Sequence, residues 1–598
     1  MERLTGMDAA FLYLETHEAH MHVAMTGIYD VSTMQGGYSF GAIKEHIRQR
    51  LHLVPPFRRR LVQVPFQFHH PVWVEDPNFN LDYHVRRIGC PSPGGRRELG
   101  EVAAQIASIP LDRNRPLWEA WVIEGLKQDR VGFVVKVHHA AIDGASGAEI
   151  MTELYDLSPD GRDDIEPVPE VEPEHIPTDQ ELLTYAAISK IRRLGDSFGL
   201  AKRTISGISE LITAARDPEA NHGAVPLGAP RAPWNHTIGP HRTVSFARLP
   251  LDQAKAVKDA LGVKMNDVIL AVCAGTLRNY LTARGELPDE PLVATCPVSV
   301  RVDDERGALG NKVSAMFAGL PTNIDDPAER LAAIAESTHG AKQDHDMVGA
   351  RTLTDWAEWS APRTFGLASR LYGSMHLADS IAPVQNLVIS NVPGPPFPLY
   401  LAGAELVAAY PMGPIMDGAG LNITVLSYRD HIDIGFMADR DLVPDVWDVA
   451  AAVDPAFEEI LALAEQKDPT VTKTAAPVTA TSKAARKAKR SSGKKAGTKA
   501  GGSKGNGSKG NGSKGNRSKG DGSKGNRSKG NGSKGDRSKG DGSKVKSASK
   551  AEAAKSKGAG KSRAKSGSKS KKPPKDTPTE IDIRAAAGVV GDSTSPRS

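Results

Sequence analysis

The sequence predicts an α/β protein of two halves, joined by a long helical linker and followed by a disordered tail. Three observations support this prediction. Short β-branched apolar runs alternate with helix-periodic segments over residues 1–160, and again over residues 242–467. Between the halves, residues 161–241 hold an acidic connection and then apolar residues at helical spacing. In residues 468–598 lysine, glycine and serine dominate, and Phe, Trp and Tyr do not occur.

Strand-like and helix-like patterns alternate in the first half. Met21–Tyr29 alternates as a strand does. Ser39–Leu53 has apolar residues four apart, with Ser39 as the expected N-cap of a helix. A second amphipathic helix is predicted over Glu98–Ser108, ahead of a strand entered at Pro116–Ile123. The apolar run Val131–Val137 predicts a buried strand that follows it directly.

The linker has two parts with different expected roles. Acids and prolines dominate from about Ser158 to Pro177, which indicates an exposed connection. Leu182 to Ala215 then has apolar residues at helical spacing and a basic polar side made of Lys190, Arg192, Arg193, Lys202 and Arg203. Such a helix either packs between the two halves or lies on a membrane surface.

The second half repeats the alternation of strands and helices. The predicted elements are a strand Thr243–Leu249, a helix Leu251–Leu261, a helix opened by Asn266-Asp267, a strand Leu292–Val300, a helix from Asp326, a strand Leu387–Ser390 that ends in a turn, and a hairpin of Leu421–Tyr428 with His431–Met437. Two α/β halves are therefore expected.

Composition limits the compartment. Three widely spaced cysteines in 598 residues give neither a disulfide framework nor a metal cluster. The first residues have acids where a signal peptide needs basic residues, and no run of about 18 uncharged apolar residues occurs. We expect a cytoplasmic protein in a reducing compartment, soluble or peripheral on the inner face of the membrane or on lipid bodies.

The net charge of +5 combines two opposed parts. The tail from residue 468 carries about 34 Lys and Arg against about 9 Asp and Glu, so the remainder has an excess of acids. Such a polycation binds either anionic lipid or nucleic acid through its charge, or it only keeps the protein in solution.

Candidate chemistry lies in the seven residues from His138 to Gly144, which follow the apolar strand. Side chains alternate along a strand, so one of the rings of His138 and His139 can face a cavity while the other packs inward. Histidine is suited to take a proton from a hydroxyl at neutral pH. Asp143 is placed to shape the turn, with Gly144 behind it. The alternative is a histidine pair with a purely structural role.

His-His-x-x-x-Asp-Gly after a strand resembles the signature of the CoA-dependent acyltransferase superfamily. Residues 2–465 are moreover similar to the bacterial wax ester synthase/acyl-CoA:diacylglycerol acyltransferase family, in its actinobacterial triacylglycerol synthase form. Six segments carry this resemblance in the same order: Leu4–Glu15, Pro116–Trp118, His138–Gly144, Asn266–Ala271, Pro297–Arg301 and Ser390–Pro395. The tail lies outside it.

The resemblance implies two chloramphenicol-acetyltransferase-like domains with a tunnel along their interface. It also implies that His139 is the general base on the acceptor hydroxyl and that Asp143 is structural and charge-paired. Arg301 is the candidate partner of Asp143, or else a surface arginine. Asn266 orients the loop or the substrate, or simply starts a helix. Trp118 shapes the tunnel, or is part of the core.

The implied reaction joins a fatty acyl group from acyl-CoA to diacylglycerol or a long-chain alcohol. The segment Gly144-Ala145-Ser146-Gly147 at the end of the motif fails the Gly-x-Ser-x-Gly spacing of a nucleophile elbow, so direct transfer without a covalent intermediate is expected. No phosphate-binding loop, no dinucleotide fingerprint after a strand and no zinc spacing occurs, so no cofactor is expected beyond the acyl-CoA substrate. The alternatives are a carrier-protein-dependent condensation-type enzyme and a nucleic-acid-binding protein acting through its tail. The oligomeric state is left open.

Overall fold

The structure is a computed structural model. It describes residues 2–142, 150–162, 165, 175–189, 229–299, 313–348, 371–469 and 471. Most of the predicted linker helix and the tail beyond residue 471 lie outside the described residues. Expectations about them stay predictions.

Among the described residues the first half contains seven strands, four α-helices and a helical stretch over residues 150–154, and a further helical stretch covers residues 179–189. The elements are β1 (Glu2–Arg3), α1 (Gly6–Leu14), β2 (His22–Asp30), α2 (Phe40–Arg50), β3 (Arg59–Val62), β4 (Val72–Glu75), α3 (Leu81–His84), β5 (Val85–Gly89), α4 (Arg96–Ala107), β6 (Trp118–Leu126) and β7 (Arg130–His138). Ser39 caps α2, because its hydroxyl accepts a hydrogen bond from the N–H of Ala42. The predicted N-cap is therefore confirmed.

The second half alternates strands and helices in the same way. Its described elements are β8 (Arg242–Pro250), α5 (Leu251–Leu261), α6 (Met265–Arg284), β9 (Leu292–Ser299), β10 (Val313–Leu320), α7 (Pro327–Val348), α8 (Leu377–Ser380), β11 (Leu387–Pro393), β12 (Tyr400–Leu401), β13 (Ala404–Met412), β14 (Leu421–Tyr428), β15 (His431–Asp439), α9 (Val446–Ala451) and α10 (Val453–Lys467).

These strands form two large sheets and one small one. The first sheet has the order β12-β13-β2-β7-β6-β5, and the second has the order β10-β9-β11-β14-β15-β8. A third sheet of three strands, in the order β1-β4-β3, shares no strand with either of the large sheets. Each large sheet packs its own apolar core, so the predicted two-lobed α/β fold is confirmed.

One strand is exchanged between the halves. β13 belongs to the second half by sequence but pairs antiparallel with β2 in the first sheet, with Met25 opposite Pro411. Asp433 on β15 ties β13 to the second sheet, because its carboxylate accepts hydrogen bonds from the Ala409 N–H (2.8 Å) and from Arg248 (2.5 Å). Arg248 of β8 also donates to the Val407 carbonyl of β13 (2.8 Å), so side chains of the second sheet hold the backbone of β13, which belongs to the first sheet. The sequence did not indicate this exchange, and the boundaries expected near residues 160, 241 and 467 stay predictions.

The end of β11 differs from expectation. The sequence predicts a turn directly after Ser390, but the strand continues to Pro393. Its neighbour is β14, which runs parallel to it with Pro393 opposite Ser427. Parallel pairing with a central strand extends β11 through a segment whose proline and glycine resemble a turn.

Among the described helices, none alone is long and apolar enough to cross a membrane. The pair α5 and α6, bent by 106°, meets the length and composition requirement only when both helices are taken together. Much of α6 is buried in the core of the second half.

Candidate active site

The two adjacent histidines lie where β7 leaves the first sheet. The N–H of His138 donates to the Leu117 carbonyl (3.0 Å), and the N–H of His139 donates to the Met21 carbonyl (2.9 Å). The chain then turns, and the Ala141 N–H donates back to the His138 carbonyl (2.9 Å). Because these hydrogen bonds to neighbouring segments hold the backbone of both histidines, the position of each Cα, from which the imidazole projects, is fixed.

His138 is the inward-facing member of the pair. It is fully buried, and its Nδ1 accepts a hydrogen bond from the Ala140 N–H (3.0 Å). The neutral ring therefore carries its proton on Nε2, which lies 3.5 Å from a carboxylate oxygen of Glu15. Burial lowers the pKa of His138, and the Glu15 carboxylate only partly opposes this effect. His138 is therefore neutral at pH 7.

Glu15 is itself held in place by Arg113. The Arg113 Nε donates to the Glu15 carboxylate (2.6 Å), and its Nη2 donates to the Leu12 carbonyl (2.8 Å). Burial raises the pKa of Glu15, but the polar contact with His138 and the charge and hydrogen bond of Arg113 outweigh this effect and leave the pKa below its usual value. Glu15 is thus a buried carboxylate between a cation and an imidazole.

Helix α1 supplies a partner for each histidine. Thr5 caps this helix by accepting the Asp8 N–H (3.1 Å). Phe11 and Glu15 are four residues apart, so they lie on one side of the chain as the helix ends. The ring of Phe11 stacks on the ring of His139, with centroids 4.0 Å apart and 12° between the planes.

His139 differs from its neighbour in exposure. It is partly exposed, whereas its Nδ1 atom is buried. Its neighbour Ala140 packs in a small apolar cluster with Leu61 and Leu117, which fixes the turn. A partly accessible imidazole with a fixed ring plane is suited to meet a substrate. A buried imidazole such as that of His138 is suited to a structural role beside the reactive one.

Trp118 lies in the core. It is 1% exposed, its ring is stacked against Phe57 (4.3 Å) and His84 (4.7 Å), and its Nε1 donates to the Phe57 carbonyl (2.8 Å). This position favours the structural alternative over a direct contact with substrate.

Asn266 is partly exposed in the first turn of α6. Its neighbour Asp267 is the residue that caps the helix, since it accepts the Lys264 N–H (3.0 Å) and the Thr338 hydroxyl (2.9 Å). The role of Asn266 stays a prediction. Asp143, Gly144 and Arg301 lie outside the described residues, and so does their expected pairing.

Three residues of the site were not singled out from sequence. Phe11 and Glu15 belong to the opening segment of the resemblance, and their four-residue spacing on an expected helix was a usable signal. Arg113 lies in a polar loop after α4 and carries no such signal. Its contact with Glu15 spans 98 positions in the chain and exists only because of the tertiary fold.

Within the described ranges, no group of three or more His, Cys, Asp or Glu side chains could hold a metal ion. The expectation that no cofactor is needed stays a prediction.

Known families and proteins match this chain over both halves. The description "Wax ester synthase/diacylglycerol acyltransferase catalytic domain" matches residues 4–269, and "WS/DGAT C-terminal domain" matches residues 309–461. A protein of Mycobacterium tuberculosis (strain CDC 1551 / Oshkosh), named "Putative diacyglycerol O-acyltransferase", is 39% identical over 463 residues. That alignment covers 77% of this chain and 90% of the relative.

Two further matches agree with these. A protein of the same printed description from strain ATCC 25618 / H37Rv is 36% identical over 465 residues, which is 77% of this chain and 96% of that protein. The structure of the wax ester synthase/diacylglycerol acyltransferase from Marinobacter aquaeolei VT8 is similar with a TM-score of 0.55. It is 29% identical, and the match covers 77% of this chain and 99% of that chain. The chain belongs to the wax ester synthase/diacylglycerol acyltransferase family.

Proposed function

We propose that this protein transfers a fatty acyl group from acyl-CoA to the hydroxyl of diacylglycerol or of a long-chain alcohol, with His139 as the general base. The observation that carries the proposal is the partly exposed imidazole of His139, stacked on Phe11 beside the buried His138–Glu15 pair. The relatives' names include diacylglycerol and wax ester chemistry, which supports both acceptors.

In the proposed reaction the His139 imidazole takes the proton of the acceptor hydroxyl. The acceptor oxygen attacks the thioester carbonyl carbon and forms a tetrahedral oxyanion, whose collapse breaks the carbon–sulfur bond. The departing CoA sulfur takes the proton back from His139, so the base is regenerated. An imidazole suits both steps, since its unperturbed pKa lies near neutrality.

The described cysteines support direct transfer rather than a covalent thioester. Burial raises the pKa of Cys273 and Cys296 to about 12, and both pack in the core of the second half. Burial also raises the pKa of Cys90. Since the thiolate is the reactive form, these thiols are poor nucleophiles at pH 7. The proposed reaction therefore joins the two substrates directly, and acyl-CoA enters it as a substrate.

The test is a product assay on the purified full-length chain. Labelled palmitoyl-CoA is supplied with either diacylglycerol or hexadecanol, and the lipids are separated by thin-layer chromatography. We expect triacylglycerol in the first case, a wax ester in the second, and free CoA in both. Transfer from a palmitoylated carrier protein but not from palmitoyl-CoA would favour the carrier-dependent alternative, and no ester from any donor would refute the proposal.

Glu15→Gln is expected to lower kcat about fivefold, because replacing the carboxylate beside the His138 Nε2 by a neutral amide costs about 1 kcal/mol of orientation at His138. Glu15 acts here as a positioning residue, so the KM for palmitoyl-CoA should stay unchanged. The measurement is initial rate against palmitoyl-CoA concentration, together with the urea unfolding midpoint.

Glu45→Gln is the matched control, since Glu45 is an exposed residue of α2 that pairs with Arg48 at the surface. We expect wild-type kinetics for it. Unchanged kcat in Glu15→Gln, or a loss explained by a lower unfolding midpoint, would contradict the positioning role.

A further inference from the structure

Two phenylalanines project from the loop between β3 and β4. Phe66 is 74% exposed and Phe68 is 44% exposed. Large apolar side chains scattered over a surface need no explanation, but two aromatic rings at the tip of one hairpin form a concentrated apolar feature. Bulky rings in water gain free energy when another apolar phase covers them.

The backbone of this loop adopts a strained conformation at two consecutive residues. Phe66 has φ of 58° and Gln67 has φ of 52°, in the left-handed region that bulky residues rarely adopt. His70, near the end of the loop, is buried and forms a hydrogen bond with the hydroxyl of Tyr13 (2.9 Å). This contact anchors the loop to α1. Strain held in place by surrounding structure is typical of functional segments.

A third exposed apolar side chain lies on a helical segment that contacts this loop. Ile188, 48% exposed, lies near the end of the helical residues 179–189. The next residue, Ser189, lies 3.1 Å from the His69 Nε2 of the loop. We call Phe66, Phe68 and Ile188 the aromatic loop patch.

The patch is connected to the candidate active site through α1. Phe11 of this helix stacks on His139, and Tyr13, two residues later, contacts His70 beneath the loop. Leu61 of β3, in the same hairpin as the loop, packs in one cluster with Ala140, which follows His139 in the chain. The hairpin that carries the patch therefore contacts the chain beside His139 through Leu61 of β3 and not through Phe66 or Phe68.

We propose that the aromatic loop patch inserts into the surface of a phospholipid bilayer and so brings the lipid acceptor to the side of the protein that carries His139. The inference rests on the proposed function for its acceptor, since diacylglycerol and long-chain alcohols reside in bilayers rather than in water. Aromatic rings are favoured at the boundary between lipid headgroups and acyl chains. The sequence after Ser189 continues with Lys190, Arg192 and Arg193, cations that favour a bilayer surface over an apolar protein partner.

The test compares the full-length wild type with the double variant Phe66→Ser/Phe68→Ser in a vesicle flotation assay. The vesicles contain phosphatidylcholine and a small fraction of dioleoylglycerol, so they carry no net charge and the basic tail contributes little. We expect vesicle affinity to fall about tenfold or more, because the apolar surface of two rings is lost. Leu157→Ser, which removes an apolar side chain that is 65% exposed elsewhere, should bind as the wild type does.

Activity assays with a dissolved acceptor and with a vesicle-borne acceptor distinguish a failure of this inference from a failure of the proposed function. With a short-chain alcohol dissolved in water, the double variant should turn over palmitoyl-CoA at the wild-type rate. With vesicle-borne dioleoylglycerol, its rate should fall in parallel with binding. Unchanged flotation of the double variant overturns the inference, and so does an equal loss of activity on the dissolved acceptor. A wild type that binds vesicles but esterifies neither acceptor refutes the proposed function alone.

A second variant guards against a folding defect. Phe66→Trp keeps an aromatic ring at the tip, so vesicle affinity should be retained. Its added tryptophan fluorescence, measured as the difference from the wild type, should be quenched by brominated acyl chains near the headgroups. A difference signal that such lipids leave unquenched would show that the loop stays in water and would overturn the inference.

Discussion

His139→Ala is expected to lower kcat/KM by about 10²- to 10⁴-fold, the range typical of a lost general base. The acceptor hydroxyl then loses its proton acceptor, whereas the substrate-binding surfaces remain. The loss of stacking on Phe11 should cost only about 1 kcal/mol of stability. The measurement is the initial rate of ester formation from palmitoyl-CoA, together with urea unfolding followed by circular dichroism.

The neighbouring histidine provides the informative contrast. His138→Ala removes a fully buried ring and leaves the Glu15 carboxylate and its Arg113 partner without their third member. We therefore expect a clear loss of stability as well as of rate. His431→Ala, at a partly exposed ring that pairs with Asp430, should change neither. Near-normal turnover in His139→Ala would remove the basis for naming it the base.

Gly435→Ala is expected to lower the free energy of unfolding by about 3 kcal/mol or more, because it overpacks the crossing of the two large sheets. A Cβ at Gly435 on β15 would lie 1.9 Å from the carbonyl oxygen of Pro411 on β13. A backbone oxygen cannot rotate away as a side chain can, so the strands must separate. Urea unfolding measures the effect as a lower midpoint at unchanged slope.

Gly89→Ala is the matched control for this substitution. Gly89 ends the edge strand β5, and no atom lies within 4 Å of where its Cβ would be. Its unfolding midpoint should stay near that of the wild type. If Gly435→Ala were as stable as the control, β13 and β15 would not approach each other as closely as described.

Local patterns were sufficient for much of the secondary structure. The apolar, β-branched run before His138 predicted β7, and the four-residue apolar spacing with Ser39 in front predicted α2 and its cap. The helix Leu251–Leu261 has the predicted bounds. Each of these elements follows from side-chain periodicity or from a cap, both of which act over a few residues.

Contacts between distant segments were not predictable in this way. β13 alternates as an ordinary strand, and nothing in it indicates that it pairs with β2 of the other half. The contact of Arg113 with Glu15 likewise joins segments far apart in sequence. The resemblance supplied the family, which the comparisons confirm, and the role of His139, which stays a proposal.

The sequence by itself determined the alternation of strands and helices, the histidine pair at the end of a buried strand, and the family to which the chain belongs. These depend on periodicity, local turns and ordered motifs, all of which are properties of neighbouring residues. Only the tertiary structure decided which histidine is buried against Glu15, which one stacks on Phe11, and that β13 joins the two halves. The burial of a side chain and the pairing of strands depend on distant segments that folding brings together. The spacing of residues along the chain therefore does not predict them.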